Sequence, residues 1–125
     1  MSARAFVLKA LTTAAFAGMV TGCVAPPKPL YGWDGYQPQV YAYLKDDGGA
    51  SPEAQIAALE AAEQKVRARG QALPPGYQAH LAMLYAKAGQ TDKTAERLAT
   101  EKEHFPESSG FIDFLTRNVV GKGTP

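Results

Sequence analysis

Between Leu73 and Ser109 the chain reads LPPGYQAHLAMLYAKAGQTDKTAERLATEKEHFPESS, a stretch that admits little besides two antiparallel helices and a sharp stop. Pro74 and Pro75 suit the approach to a helix and its first turn, where an amide donor would be unpaired anyway. Tyr77, Leu81, Leu84, Tyr85 and Ala88 then recur at helical spacing, which gathers them on one side, and Gly89 closes the helix. Thr91 and Asp92 offer a capping oxygen and an acid for the positive end of the next helix dipole. The expected apolar stripe of this second helix is Ala95, Leu98, Ala99 and Phe105, and Pro106 ends it by pushing its neighbour out of the α region. So short a connection makes the pair antiparallel.

The spacing of this hairpin resembles a tetratricopeptide repeat, with Leu81, Ala82, Tyr85, Gly89, Leu98 and Pro106 on matching positions. Gln78 stands where that pattern has tryptophan, and Thr94 where it has a small alanine. A single repeat cannot bury its own apolar face, so other helices must cover it. Three are legible. Pro38 to Lys45 reads as a short helix, ended by the Asp46-Asp47-Gly48-Gly49 turn, which lacks the alternating acids of a calcium loop. Ser51-Pro52-Glu53 opens a long helix with a hydroxyl cap, a first-turn proline and an early acid, and Gly70 caps its end. Its inward stripe is Ile56, Leu59, Ala62 and Val66, with Glu63 and Arg67 read as a solvated pair. After Ser108 or Ser109, Phe111, Phe114, Leu115 and Val119 share one side of a last helix that should lid the open end of the hairpin. The fold class is therefore all-α, a small tetratricopeptide-like helical bundle over 31–120, with a frayed tail at 121–125.

The first 22 residues are of a different kind. Arg4 and Lys9 precede an apolar run from Ala10 to Val20, the layout of a cleaved secretory signal. A run of eleven residues falls short of the about 20 that a spanning helix needs. Val20, Thr21, Gly22 and Cys23 follow, and this sequence resembles the bacterial lipoprotein processing box. A thiol is the side chain nucleophilic enough to be alkylated by a lipid donor, and small neighbours give the processing enzymes access to the backbone. Cys23 is the only cysteine, so no intramolecular disulfide can use it. The resemblance implies a diacylglyceryl thioether and an N-acyl chain, such as palmitate, on Cys23. Buried chains contribute about 0.8 kcal/mol per methylene, and two or more anchor stably. Val24 stands where inner-membrane lipoproteins often carry aspartate, which implies an outer-membrane, periplasmic-face address.

Residues 23–30 form the acylated start and a tether rich in proline, which favours an extended polyproline II segment of roughly 20 Å. Tyr31, Trp33, Tyr36, Tyr41 and Tyr43 then crowd into thirteen residues. They form a patch that docks a partner or meets a membrane interface, or else Trp33, Tyr36 and Tyr41 fold back over the hairpin as core. Lys102, in line with Leu98 and Phe105, interrupts the stripe. Either its methylenes lie along the core edge with the amine in water, or it meets a buried acid. These six are the candidate contact residues.

No catalytic site emerges. His80 and His104 lack a third metal ligand and the H-E-x-x-H or C-x2-C spacing, so no metal or other cofactor is expected. There is no nucleophile elbow and no phosphate loop. Without Arg4 and Lys9, eleven basic residues face twelve acidic ones, a net charge of −1 that gives no footing for nucleic acid.

Tyr31-Gly32-Trp33, Pro74-Pro75-Gly76, Tyr85, Gly89 and Glu101-Lys102 through Phe105-Pro106-Glu107-Ser108 together resemble the domain-of-unknown-function 4810 family of small bacterial lipoproteins. That resemblance implies a setting beside a curli-type secretion-channel lipoprotein and a second small lipoprotein, and it assigns no catalytic residues. The expectation is a non-enzymatic scaffold or accessory subunit. It would be held to the membrane by lipid on Cys23, and its partners would be other envelope lipoproteins or channel subunits. A peptide- or small-ligand-binding lipoprotein and an envelope hydrolase are the alternatives.

Overall fold

A computed structural model describes residues 26–45 and 50–121. The Val20-Thr21-Gly22-Cys23 box, the Asp46–Gly49 turn and residues 122–125 lie outside the described residues. Among the described residues five α-helices follow one another: α1 (Tyr36–Lys45), α2 (Pro52–Ala68), α3 (Tyr77–Lys87), α4 (Thr91–His104) and α5 (Ser109–Leu115). A 3₁₀ turn, Pro106–Ser108, links α4 to α5, and α5 runs on into a π-turn over Thr116–Val120. The protein is all-α among the described residues. Its sole β-type feature there is an isolated bridge between Tyr31 and Ala72.

The helix boundaries follow the local signals. Ser51 accepts a hydrogen bond from the Ala54 N–H (3.2 Å) at the head of α2, with Pro52 behind it. Gly70 (φ 64°) and Gly89 (φ 72°) take the left-handed conformation that stops α2 and α3. α4 differs from expectation at its start. Gln90 is the N-cap and no side chain caps it, while the Thr94 hydroxyl bonds back to the Gln90 carbonyl (2.9 Å).

Ile56 and Leu59 of α2 and Tyr77, Leu81, Leu84 and Tyr85 of α3 form one apolar cluster. Ala79, Ala82, Leu98, Ile112 and Leu115 form a second, which seats α5 across the hairpin. Here the predicted faces are corrected twice. α4 buries Thr94, Leu98 and Glu101, whereas Ala99 is exposed, so a carboxylate takes the place of the expected alanine. α5 buries Ile112 and Leu115 and exposes Phe111 and Phe114. The small side chains of Ala79 and Ala82 leave a shallow seat, which the slimmer aliphatics fill and a pair of phenyl rings would overfill.

The N-terminal arm is fixed by a close approach. The Gly32 N–H donates to the Ala72 carbonyl (2.9 Å). A Cβ on Gly32 would lie 2.6 and 2.7 Å from the two methyls of Val66, which explains why Tyr31-Gly32-Trp33 carries glycine at its centre.

Candidate functional site: a cleft beside a buried charge network

Glycine at the N-cap of α3 brings no side chain to its orphan amides. Glu101, two per cent exposed, supplies the cap from α4. Its Oε1 accepts from the Gly76 N–H (2.6 Å), and its Oε2 from the N–H groups of Gln78 (3.1 Å) and Ala79 (3.4 Å). The Tyr77 N–H goes to the Pro74 carbonyl (3.2 Å), so the first turn of α3 is satisfied throughout. A carboxylate at the positive end of a helix dipole is compensated without a cation.

A second buried carboxylate joins three helices. Glu63 is buried, not solvated as its i,i+4 spacing to Arg67 suggested. It accepts from Arg67 Nη2 (2.7 Å) and Nε (3.0 Å), from Arg97 Nη1 (3.0 Å) and from Gln78 Nε2 (3.3 Å). Arg97 Nη1 also reaches Gln78 Oε1 (3.0 Å), its Nη2 reaches Glu60 Oε1 (3.4 Å), and Tyr85 donates its hydroxyl to the same Glu60 oxygen. Burial alone would raise the Glu63 pKa, but the Arg67 hydrogen bonds and the Arg97 charge overcome it and hold the carboxyl below its ordinary range. For Arg97, burial opposes the charged form, and the Glu63 charge outweighs it. The Tyr77 phenol, bonded to the Leu59 carbonyl (2.6 Å), is pushed far upward by burial and then by the Glu63 charge.

Arg67 and Gln78 are shared between this network and a cleft of about 360 Å³ that opens between the end of α2, the Ala72–Leu73 segment and the hairpin. Leu30, Tyr31, Leu73 and Phe105 supply its apolar walls. The Tyr31 ring stands edge-on to Phe105 at 6.3 Å.

The aromatic segment divides. Tyr31 walls the cleft. Tyr36 stacks on Tyr77 (5.0 Å between centroids) and meets His80 edge-on (5.9 Å), and Tyr43 meets His80 from the other side (5.2 Å), with Lys87 Nζ 4.2 Å above the Tyr43 ring. Burial raises the Tyr36 phenol and lowers the His80 imidazole. Trp33 and Tyr41 remain exposed. Lys102, also exposed, pairs with Asp113 (2.7 Å) and ties α4 to α5 at the surface. Its amine meets a surface acid and not a buried one, and the acid buried on this stripe is its neighbour Glu101. His104 is exposed, its Nδ1 3.0 Å from the Thr100 carbonyl. No group of three His, Cys, Asp or Glu among the described residues could hold a metal ion.

Glu101 and Arg97 escaped the sequence reading, and Glu63 was read as solvated, because their partners on other helices lie 15 to 37 residues away. The one available signal was Gly76, a helix start with no cap of its own.

The family described as Domain of unknown function (DUF4810) matches residues 30–115. The chain belongs to the DUF4810 family. Its match begins at Leu30 on the cleft wall and ends at Leu115 in the second apolar cluster, so it takes in both carboxylate sites. No curated protein and no solved structure matches the chain.

Proposed function

We propose that this protein is a lipid-anchored accessory subunit or scaffold of a bacterial envelope assembly. It is held at the periplasmic face of the outer membrane by acyl chains on Cys23 and binds other envelope proteins. The observation that carries the reading is the leader itself: Arg4 and Lys9, an apolar run from Ala10, and the Val20-Thr21-Gly22-Cys23 box around the single cysteine. No helix among the described residues is long and apolar enough to cross a membrane, and on this reading attachment falls to the lipid.

The cleft supports the binding half. Its aromatic and aliphatic walls, with Arg67 and Gln78 at one side, have the composition of a contact site with an apolar centre and a polar rim. Buried charge pairs behind it hold those walls in one arrangement. Partners of curli-type secretion-channel kind follow from the family resemblance. The size of the cleft favours a second reading, a peptide or small-ligand binder, since such pockets span about 300–1,000 Å³.

Two measurements test the proposal. The mass of the chain purified from native membranes should carry a diacylglyceryl and an acyl group on Cys23, and Cys23→Ala should abolish both. A photo-crosslinking residue replacing Tyr31 should trap an envelope lipoprotein or channel subunit, while one replacing Lys93, at the far end of α4, should not. An unmodified cysteine would overturn the anchor. Equal trapping from both positions would remove the cleft from the binding surface.

A further inference from the structure

α1 has two unlike sides. Tyr36 and Tyr43 face the body through their contacts with Tyr77 and His80. At 100° per residue, Gln37, Tyr41 and Leu44 fall together about a third of a turn away from that side, and Tyr41 is 66% and Leu44 74% exposed. Trp33, whose carbonyl accepts the Tyr36 N–H (3.2 Å), stands at the head of α1 and is 48% exposed. Leu30, just before it, is 74% exposed. No acid occurs within α1, its basic residue is Lys45, and the nearby Asp34 is paired with Arg69. Leu30 belongs to the cleft wall, but a half-exposed indole, its ring 6.2 Å from that of Tyr36, and an exposed phenol and leucine follow one another over residues 33–44, an apolar surface that water does not favour.

Chemistry and chain length select the occupant. Indole and phenol rings prefer the headgroup zone of a bilayer, with their apolar bodies toward the acyl chains and their polar tips in water. Trp33 is ten residues from Cys23, and the intervening proline-rich segment extends roughly 20 Å at most before Tyr31. Any lipid on Cys23 therefore keeps this surface within reach of the membrane. Resting on the acylation proposed above, we infer that the outward side of the Trp33–Leu44 segment lies in the lipid headgroup zone. It thereby orients the domain on the bilayer, where a tether alone would leave it free to turn. The face suits a zwitterionic phospholipid surface, since it carries no cluster of cations to select an anionic one.

Trp33 is the only tryptophan in the chain, so its fluorescence reports this site alone. The acylated full-length protein would be reconstituted into phosphatidylethanolamine–phosphatidylcholine vesicles, with and without phospholipid brominated near the top of the acyl chains. Brominated lipid should quench Trp33 and the bilayer should shield it from aqueous acrylamide. Both effects should be lost in the Tyr41→Ser/Leu44→Ser double variant, which removes only exposed side chains. If the protein floats with the vesicles but Trp33 stays open to acrylamide and indifferent to bromine, the inference fails and the lipid anchor stands. A cysteine of unmodified mass and no flotation would instead defeat the anchor and the inference with it. Shielding that appears only when an envelope protein fraction is added would assign the face to a protein partner and overturn the lipid assignment.

Discussion

The body made of α2, α3 and α4 and the flanks made of α1 and α5 distribute polarity in opposite senses. The body turns Glu63 and Glu101 inward and gives each a full set of donors. The flanks turn Tyr41 and Leu44 on one side, and Phe111 and Phe114 on the other, out to solvent. Buried, matched carboxylates fix a single geometry because each is costly to leave unpaired, whereas exposed rings constrain nothing inside the molecule and are available to something outside it. The buried carboxylates and the exposed rings are therefore carried by different helices.

Substitutions can test that division in order of expected effect. Glu101→Ala strips the cap from α3 and leaves buried N–H groups without an acceptor. Chemical denaturation should show a loss of about 3 kcal/mol or more, and Glu101→Gln about half of that. Arg97→Met leaves Glu63 short of one cation and should cost about 2–3 kcal/mol. Adding Glu63→Gln should recover part of the loss, because the remaining charge is then removed. Gly32→Ala should cost about 2 kcal/mol through overlap with the Val66 methyls, and Val66→Ala, which opens that space, should make the pair less than additive.

Acid should act on the body in two stages. The folded His80 imidazole binds its proton less readily than in the unfolded chain, so the stability it contributes is complete above its ordinary pKa of 6.5 and falls as the pH drops below that value. Glu63 is also depressed when folded, and its contribution is present above about 4.5 and lost as the pH falls through its folded pKa. Denaturation midpoints measured from pH 7.5 down to about 2.5 should decline in both ranges. His80→Gln should remove the upper decline and Glu63→Gln the lower one. At the small end of the scale, Phe111→Ser/Phe114→Ser should leave stability within about 0.5 kcal/mol per site, whereas Ile112→Ala on the same helix should cost about 2 kcal/mol or more. A large loss from the phenylalanine pair would show that the flank belongs to the core after all.

How much of this was legible depended on the distance over which each signal acts. The Ser51 cap, the Gly70 and Gly89 stops, the Pro106 terminator and the Ile56–Leu59–Ala62–Val66 stripe all operate within about one or two turns, and each appears where the sequence placed it. The stripes of α4 and α5 were less secure. Alanine-rich and phenylalanine-rich patterns can be turned by a third of a circle without losing their period, and the seat offered by Ala79 and Ala82 chose the rotation. Of the cleft, the sequence offered Tyr31 and Phe105 as separate aromatics and gave no sign that they face each other.

By itself the sequence determined the helices of the described residues, nearly all their ends and the antiparallel hairpin, because turns, caps and periodicity are local consequences of side-chain chemistry. Tertiary structure alone decided that Glu63 and Glu101 lie inside, that Gly32 must be bare and that Tyr36 and Tyr43 are packed while Tyr41 is not. In each case the deciding atoms come from another helix or loop. A carboxylate on a helix reads as solvated until the donors that would replace its water are brought beside it by the fold.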